Sequence, residues 1–214
     1  MAKMIEGVTE KLLECAKEEF LSNGYENASL RTIAEKAGSS KSSILYRYQD
    51  KESLYLAVVQ PVADGFCEMM RAALGKFSDL PSKQQIEQLH FDPKGRVSSI
   101  LDYIYDHFDE FKILLTSGET SVEQGFMHTL VDMDTDTTLR YIEKSGNDAI
   151  SSGRLTQDLA HILSYAFYSG VFEVVIHNMP KEEAMKHIWR LSLFYNAGWE
   201  KILNGGDDGD WTDG

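Results

Sequence analysis

Ser29 to Glu52 reads SLRTIAEKAGSSKSSILYRYQDKE, and the fold follows from this stretch. Leu30, Ile33, Ala34 and Ala37 fall at i, i+3, i+4 and i+7, one apolar stripe of a helix. Ser29 is placed to cap that helix, and Gly38 ends it where the chain needs a left-handed residue. Ser40 caps a second short helix whose apolar residues are Ile44, Leu45 and Tyr48. Asp50 then caps a third, leaving the first backbone N–H groups, Lys51 and Glu52, pointing outward. Two short helices joined through a Gly turn form a helix-turn-helix, whose second helix enters the major groove of DNA.

Charge distribution supports this reading, although the total charge alone opposes it. The 214 residues carry a net charge of −13, unusual for a nucleic-acid binder. Residues 27–51, however, hold Arg31, Lys36, Lys41, Arg47 and Lys51 against only Glu35 and Asp50. The predicted DNA face is thus locally positive on an acidic body. Local field governs phosphate contact, and the acidic remainder discourages indiscriminate binding. Lys36 and Glu35 read as a solvated face.

Outward from this stretch the pattern remains helical. Val8, Leu12, Cys15, Ala16 and Phe20 form the core stripe of a first helix that ends near Gly24. The helix after Asp50 runs through Leu54, Val58 and Val62, and Pro61 predicts a kink or break near Gln60. A short helix is expected after Leu80-Pro81. Val97, Ile100, Leu101, Ile104 and Phe108 keep a 3.6 period, Ser117-Gly118 interrupts, and a long helix resumes with Val122, Phe126, Leu130 and Met133. Loops at 145–147 and 151–153 precede two strong helices, roughly 156–178 and 180–203. The expected fold is all-α. A three-helix DNA-binding unit occupies 1–52, a larger helical domain 53–203, and an acidic Gly-rich tail, expected to be disordered, 204–214. No run of eighteen consecutive apolar residues suggests a membrane span, and the amphipathic, Glu-rich start lacks a signal peptide's apolar centre. A cytoplasmic protein is expected, with Cys15 and Cys67 as buried free thiols.

The segment AKEEFLSNGYENASLRTIAEKAGSSKSSILYRYQDKESL, residues 16–54, resembles the tetracycline-repressor (TetR) family of bacterial transcription factors. The Gly-Tyr after helix one, the Ile-Ala of helix two, the Ala-Gly turn and the closing Lys-Glu carry the resemblance. It covers less than a quarter of the chain, and beyond it only the helical pattern and total length agree. Two positions depart from the family pattern. Ser39 replaces a usual Val, and Leu45 stands where a phosphate-binding Tyr is common, which removes one expected backbone contact.

The resemblance implies a two-fold homodimer on a palindromic operator in double-stranded DNA, with half-sites about 34–36 Å apart. Lys41, Ser42 and Ser43 occupy the first turn of the recognition helix, the turn that faces base edges. Lys41 suits guanine O6 and N7, while the Ser hydroxyls read sequence poorly alone. Arg31 matches a family position that reaches a base or phosphate. Tyr46 and Arg47 resemble phosphate contacts, and Lys51 adds its charge to a helix N-terminus. Ser29 is chiefly a cap. Dimerisation is expected through the last two helices. There Ser164, Ala166, Ser169 and Gly170 permit close approach, and Leu163, Phe167, Phe172, Trp189, Leu193, Phe194 and Trp199 supply bulk. Those same residues also suit an intramolecular core.

The family implies a cavity for a small organic effector in the larger domain. Tyr103, His107, Phe126, Met127 and Tyr168 are the candidate lining residues. Glu119 could face a cationic ligand, but a solvated loop carboxylate is the stronger reading. No cofactor or metal is expected. The six His are dispersed, and HExxH, CxxC, GxSxG and phosphate-cradling Gly loops are absent from the sequence, so no enzyme is expected. The alternative function is a protein of the same fold controlled by a protein partner.

Overall fold

The computed structural model describes residues 2–81, 84–85, 93–118 and 121–205. Among the described residues every regular element is an α-helix. These are α1 (Ala2–Asn27), α2 (Leu30–Lys36), α3 (Lys41–Tyr48), α4 (Lys51–Asp79), α5 (Pro93–Asp106), α6 (Phe108–Thr116), α7 (Ser121–Ser145), α8 (Gln157–Ile176) and α9 (Lys181–Asn204). The expected helix after Pro81 falls mostly outside the described residues, as do Glu119 and the tail from 206 onward.

Packing gathers the chain into two compact units, Met1–Phe66 with Ile104–Phe126, and Cys67–Tyr103 with Met127–Gly214. This grouping follows contact rather than sequence order, so it cuts the chain differently from a division at residue 52. In the first unit α1 buries Leu12, Ala16 and Phe20 and packs on α2 and α6. Gly24 breaks α1 with φ 69° and ψ 168°, as its placement in the sequence suggested. A final turn follows, in which Ala28 N donates to Gly24 O at 3.1 Å. Phe20 meets Tyr55 edge-on at 5.5 Å, and Phe66 meets Phe111 in the same way, also at 5.5 Å. Lys17 Nζ joins α1 to α6 through Glu110 at 3.0 Å. That hydrogen bond, more than any other influence, raises the lysine above its usual range.

Two sequence expectations are corrected here. Pro61 does not break α4, which runs unbroken from Lys51 to Asp79. Pro61 is exposed, while Val58, Val59, Val62 and Ala63 beside it are buried. Burial of that face outweighs the roughly 3 kcal/mol that an interior proline costs. Conversely, the apolar period from Val97 to Phe108 spans two helices. His107, at φ −127° and ψ 35°, ends one and starts the next.

In the second unit α8 packs on α9. Gly170 lets them approach closely, since a Cβ there would lie 2.9 Å from Leu191 Cδ2. The end of α9 is tied down by Asn147 Nδ2 donating to Leu203 O at 2.9 Å and Arg154 Nε donating to Ile202 O at 3.0 Å. Around that end Tyr141, Ile142, Leu155 and Trp199 form a local apolar cluster. Among the described residues α8 alone is, by length and composition, apolar enough to cross a bilayer. Its Ala160, Ser164, Tyr168, Val171, Phe172, Val174 and Val175 are instead buried in protein. Cys15 and Cys67 are buried free thiols.

Candidate nucleic-acid interface and effector cavity

The helix-turn-helix is built from caps. Ser29 Oγ accepts from Thr32 N at 3.4 Å, Ser40 Oγ from Ser43 N at 3.1 Å, and Asp50 Oδ1 from Ser53 N at 2.7 Å. The backbone hydrogen bond from Ser53 holds the Asp50 carboxyl below its usual range. Between α2 and α3, Gly38 takes φ 67°, and Ser39 N donates back to Ala34 O at 2.8 Å. After α3, Gln49 adopts φ 64°, a left-handed conformation that is uncommon for a residue with a side chain.

Helix α3 is anchored by one residue. Ile44 is fully buried, a burial that contributes about 2 kcal/mol. The opposite face presents Lys41, Ser42, Leu45 and Tyr46, and Tyr46 is 91% exposed. Of the three apolar residues read in this helix, Ile44 alone is core, with Leu45 on the exposed side and Tyr48 half-buried. In an eight-residue helix, i to i+4 spacing cannot tell which side of Ile44 faces inward. Ser43 is half-buried, and its backbone N–H is used by the Ser40 cap.

Most cations of this head are engaged within the protein. Arg31 Nε donates to Glu35 Oε1 at 2.9 Å. Arg47 Nη1 donates to Thr9 Oγ1 of α1 at 2.8 Å. Lys51 Nζ donates to Tyr25 O at 2.7 Å and to Glu26 O at 2.9 Å, lying 4.7 Å from the centre of the Tyr25 ring. Lys41 is exposed and makes no ion pair among the described residues. Lys36 is not simply a solvated charge. Its Nζ lies 3.3 Å from Glu19 Oε2, and the other oxygen of Glu19 accepts from Ser29 N, also at 3.3 Å. Glu19 is 3% exposed, so a buried carboxylate clamps α1 to both ends of α2. Nothing in the spacing of Glu19 marks it for this role. Its neighbour Glu18 is exposed.

The second unit contains a cavity of about 780 Å³. Met69, Met70, Leu74 and Phe77 of α4 line it, with Tyr141 of α7, Phe167 and Tyr168 of α8, and Tyr195 and Trp199 of α9. Of the five candidate lining residues only Tyr168 is on this wall. Phe126 packs into the first unit, 5.8 Å from Phe66 and 6.1 Å from Phe111. His107 is the hinge between α5 and α6. Met127 is buried and Tyr103 half-buried away from this wall. Periodicity identified these residues as inward-facing, but it does not distinguish packed core from cavity wall.

The expected dimer residues are distributed in two ways. Phe172 and Ser164 are buried within the subunit, Gly170 fits Leu191, and Leu163, Phe167 and Trp199 line the cavity. Leu193 (49% exposed) and Phe194 (75%) face outward, as do Ile162 (59%) and Tyr165 (52%), which the sequence reading did not single out. His187 Nε2 lies 3.3 Å from Gly170 O, and His177 Nε2 lies 2.8 Å from Glu173. Among the described residues no group of three His, Cys, Asp or Glu is arranged to hold a metal.

Comparison with known proteins agrees with this geometry. Residues 12–58 match the family described as bacterial regulatory proteins, tetR family. The transcriptional repressor AcnR of Corynebacterium glutamicum is 27% identical over 173 residues, which is 72% of this chain and 87% of that protein. A TetR-like transcriptional regulator from Rhodococcus sp. RHA1 shares the fold with a TM-score of 0.59 at 18% identity, over 89% of this chain and 96% of that one. The regulator FadR from Bacillus subtilis, solved with stearoyl-CoA, shares it with a TM-score of 0.57 at 14% identity, over 92% and 99%. Capped recognition helix and family match coincide: the helix-turn-helix head, residues 12–58, is a tetR-family DNA-binding domain, and the helical remainder shares the fold of TetR-like regulators.

Proposed function

We propose that this protein is a cytoplasmic transcriptional repressor. It binds a palindromic operator as a homodimer and leaves it when a small organic effector fills the cavity of the second unit. The observation that carries the DNA reading is the outward face of α3. Ile44 and the Ser40 cap fix the helix, so Lys41, Ser42, Leu45 and Tyr46 form a rigid reading surface. Lys41 donates to guanine, Ser42 to a base edge or phosphate, and Leu45 offers an apolar contact to a thymine methyl group. Tyr46, Arg47 and Arg31 address phosphates, and Lys51 with the N-terminus of α4 forms an anion site. Ser29 acts through the geometry of α2, and Ser43 stays on the rim of the reading surface.

Repression is favoured by the relationship to AcnR, which is named a repressor. The cavity favours a small effector over control by a protein partner, and the outward Ile162, Tyr165, Leu193 and Phe194 favour a homodimer through α8 and α9. Effector binding lowers DNA affinity only through a difference in its affinity for the two states. Selection of bound sequences from a random DNA pool, followed by fluorescence anisotropy at several salt concentrations, tests the proposal. A palindromic winner with two half-sites is expected. Failure to enrich any sequence would refute it.

A further inference from the structure

The outward side of α3 is defined by the base-reading groups it lacks. The helix reads KSSILYRY and holds no Asn, Gln, Asp or Glu. The amide that pairs with adenine N6 and N7 is therefore missing, as is the carboxylate that accepts from cytosine N4. Its one guanidinium, on Arg47, turns back to Thr9 Oγ1 of α1 at 2.8 Å. Residues at i and i+4 share a helix face, so Lys41 with Leu45 and Ser42 with Tyr46 make two adjoining exposed rows. A lysine ammonium or a serine hydroxyl donates to adenine N7 or thymine O4 as readily as to guanine. What marks an A·T pair for this helix is the C5-methyl group of its thymine. Leu45, 37% exposed, is the aliphatic side chain on this side, while its neighbour Ile44 is fully buried. Leucine has no group to offer a phosphate, and its shape suits a methyl group.

Thymine is not the only base that carries that group. 5-Methylcytosine presents the same methyl beside an N4 amino group in place of O4. An aliphatic side chain does not sense this difference, and a serine hydroxyl tolerates it, because it can donate or accept. We propose that Leu45 makes operator affinity depend on pyrimidine C5-methylation. One pyrimidine per half-site is read through its methyl group, and 5-methylcytosine takes the place of thymine there. Methylation of a cytosine at that position then raises affinity, so one operator is graded by its modification. The inference rests on the reading of α3 as the recognition helix and adds the base modification to which that helix responds. Burial of one methyl group corresponds to about fourfold in affinity, and two half-sites multiply this to about fifteenfold.

The test uses the full chain and the operator selected from random DNA, with fluorescence anisotropy as the readout. Each symmetry-related pair of thymines is replaced in turn by uracil, which keeps every hydrogen-bonding group and loses only the methyl. The expected result is one pair of positions at which uracil weakens binding about fifteenfold. At those positions 5-methylcytosine opposite guanine should bind about fifteenfold tighter than cytosine opposite guanine. Leu45→Ala, at a surface position, should bring both ratios to within about twofold. The wild-type comparison of the bases needs no variant to fold. An operator with no position sensitive to uracil would overturn the inference, as would ratios that survive in Leu45→Ala, or 5-methylcytosine binding no better than cytosine. In each of these cases sequence-selective binding keeps the DNA reading. If selection enriches no sequence, the DNA reading fails and the inference fails with it.

Discussion

Glu19→Ala should be among the most damaging single changes in the DNA-binding head that lie off its reading surface. The carboxylate is 3% exposed and has two partners, Ser29 N at 3.3 Å and Lys36 Nζ at 3.3 Å. Truncation strands the part-buried Ser29 N–H, at a cost of about 1–2 kcal/mol. The ion pair adds only about 0.5–1 kcal/mol, because the Lys36 side chain is 43% exposed and screened. The sum is about 2 kcal/mol, or a fall in Tm of about 4–8 °C for a chain of this size. Glu19→Gln keeps an acceptor for Ser29 and should cost about half as much. The assay is urea and thermal denaturation of the full-length protein, with operator anisotropy alongside. Both variants should weaken DNA binding in the order of their instability, because the clamp sets the start of α2, where Ser29 and Arg31 lie. An alanine variant within 0.5 kcal/mol of the parent would refute the reasoning, since that is the noise of an ordinary surface change. So would a glutamine variant worse than alanine.

Lys41→Ala should leave stability unchanged within about 0.5 kcal/mol, impair sequence discrimination and lower the salt slope by about one counterion. Lys51→Ala should instead cost about 1–2 kcal/mol of stability through its lost carbonyl contacts and weaken all DNA sequences alike; calorimetry with anisotropy separates the two. Phe194→Asp, at a side chain 75% exposed, should convert the dimer to monomer in sedimentation velocity while leaving the helical signal intact. Asp50, Asp102, Asp148 and Glu182 all have lowered folded-state pKa values. Their contribution is therefore complete above the unfolded values near pH 4 and is lost as pH falls through the folded ones. The urea midpoint should owe no change to these groups between pH 5 and 7 and should drop below about pH 4. Lys17 has the opposite sign, its contribution being complete at neutral pH and lost only as pH climbs through its raised pKa.

Features set by neighbouring residues were legible in the sequence. Ser29, Ser40 and Asp50 were readable as caps because a cap is a contact over three residues, and Gly38 because a left-handed turn excludes most side chains. Features set by distant packing were not. Leu45 and Ile44 are adjacent and equally apolar, and only the position of α1 and α2 decides which of them is covered. Pro61 breaks helices by local rules, but the buried valines around it hold α4 together. Phe126 and Tyr168 are both aromatic at helical spacing, yet Phe126 meets Phe66 and Phe111 while Tyr168 faces open space. Gly170 and Ser164 suggested close approach to a second subunit. The approach exists, but for Gly170 the neighbour is Leu191 of the same chain.

The head's cations have structural roles that bear on how it meets DNA. Arg47 ties α3 to α1 through Thr9, Lys51 ties the start of α4 to the end of α1, and Lys36 completes the Glu19 clamp. Each holds a helix against its neighbour, so the positive charge that attracts phosphate also fixes the reading helix. A phosphate that recruits Arg47 or Lys51 must compete with a hydroxyl or two carbonyls already in place, and the net gain per contact is reduced by what is given up. Lys41, and the first N–H groups of α3 and α4 ahead of the capped Ser43 and Ser53, carry no such cost. Discrimination between sequences should therefore concentrate in the first turn of α3, where charge is uncommitted. On the proposed reading, the remaining cations mainly set the orientation in which this turn would reach the groove.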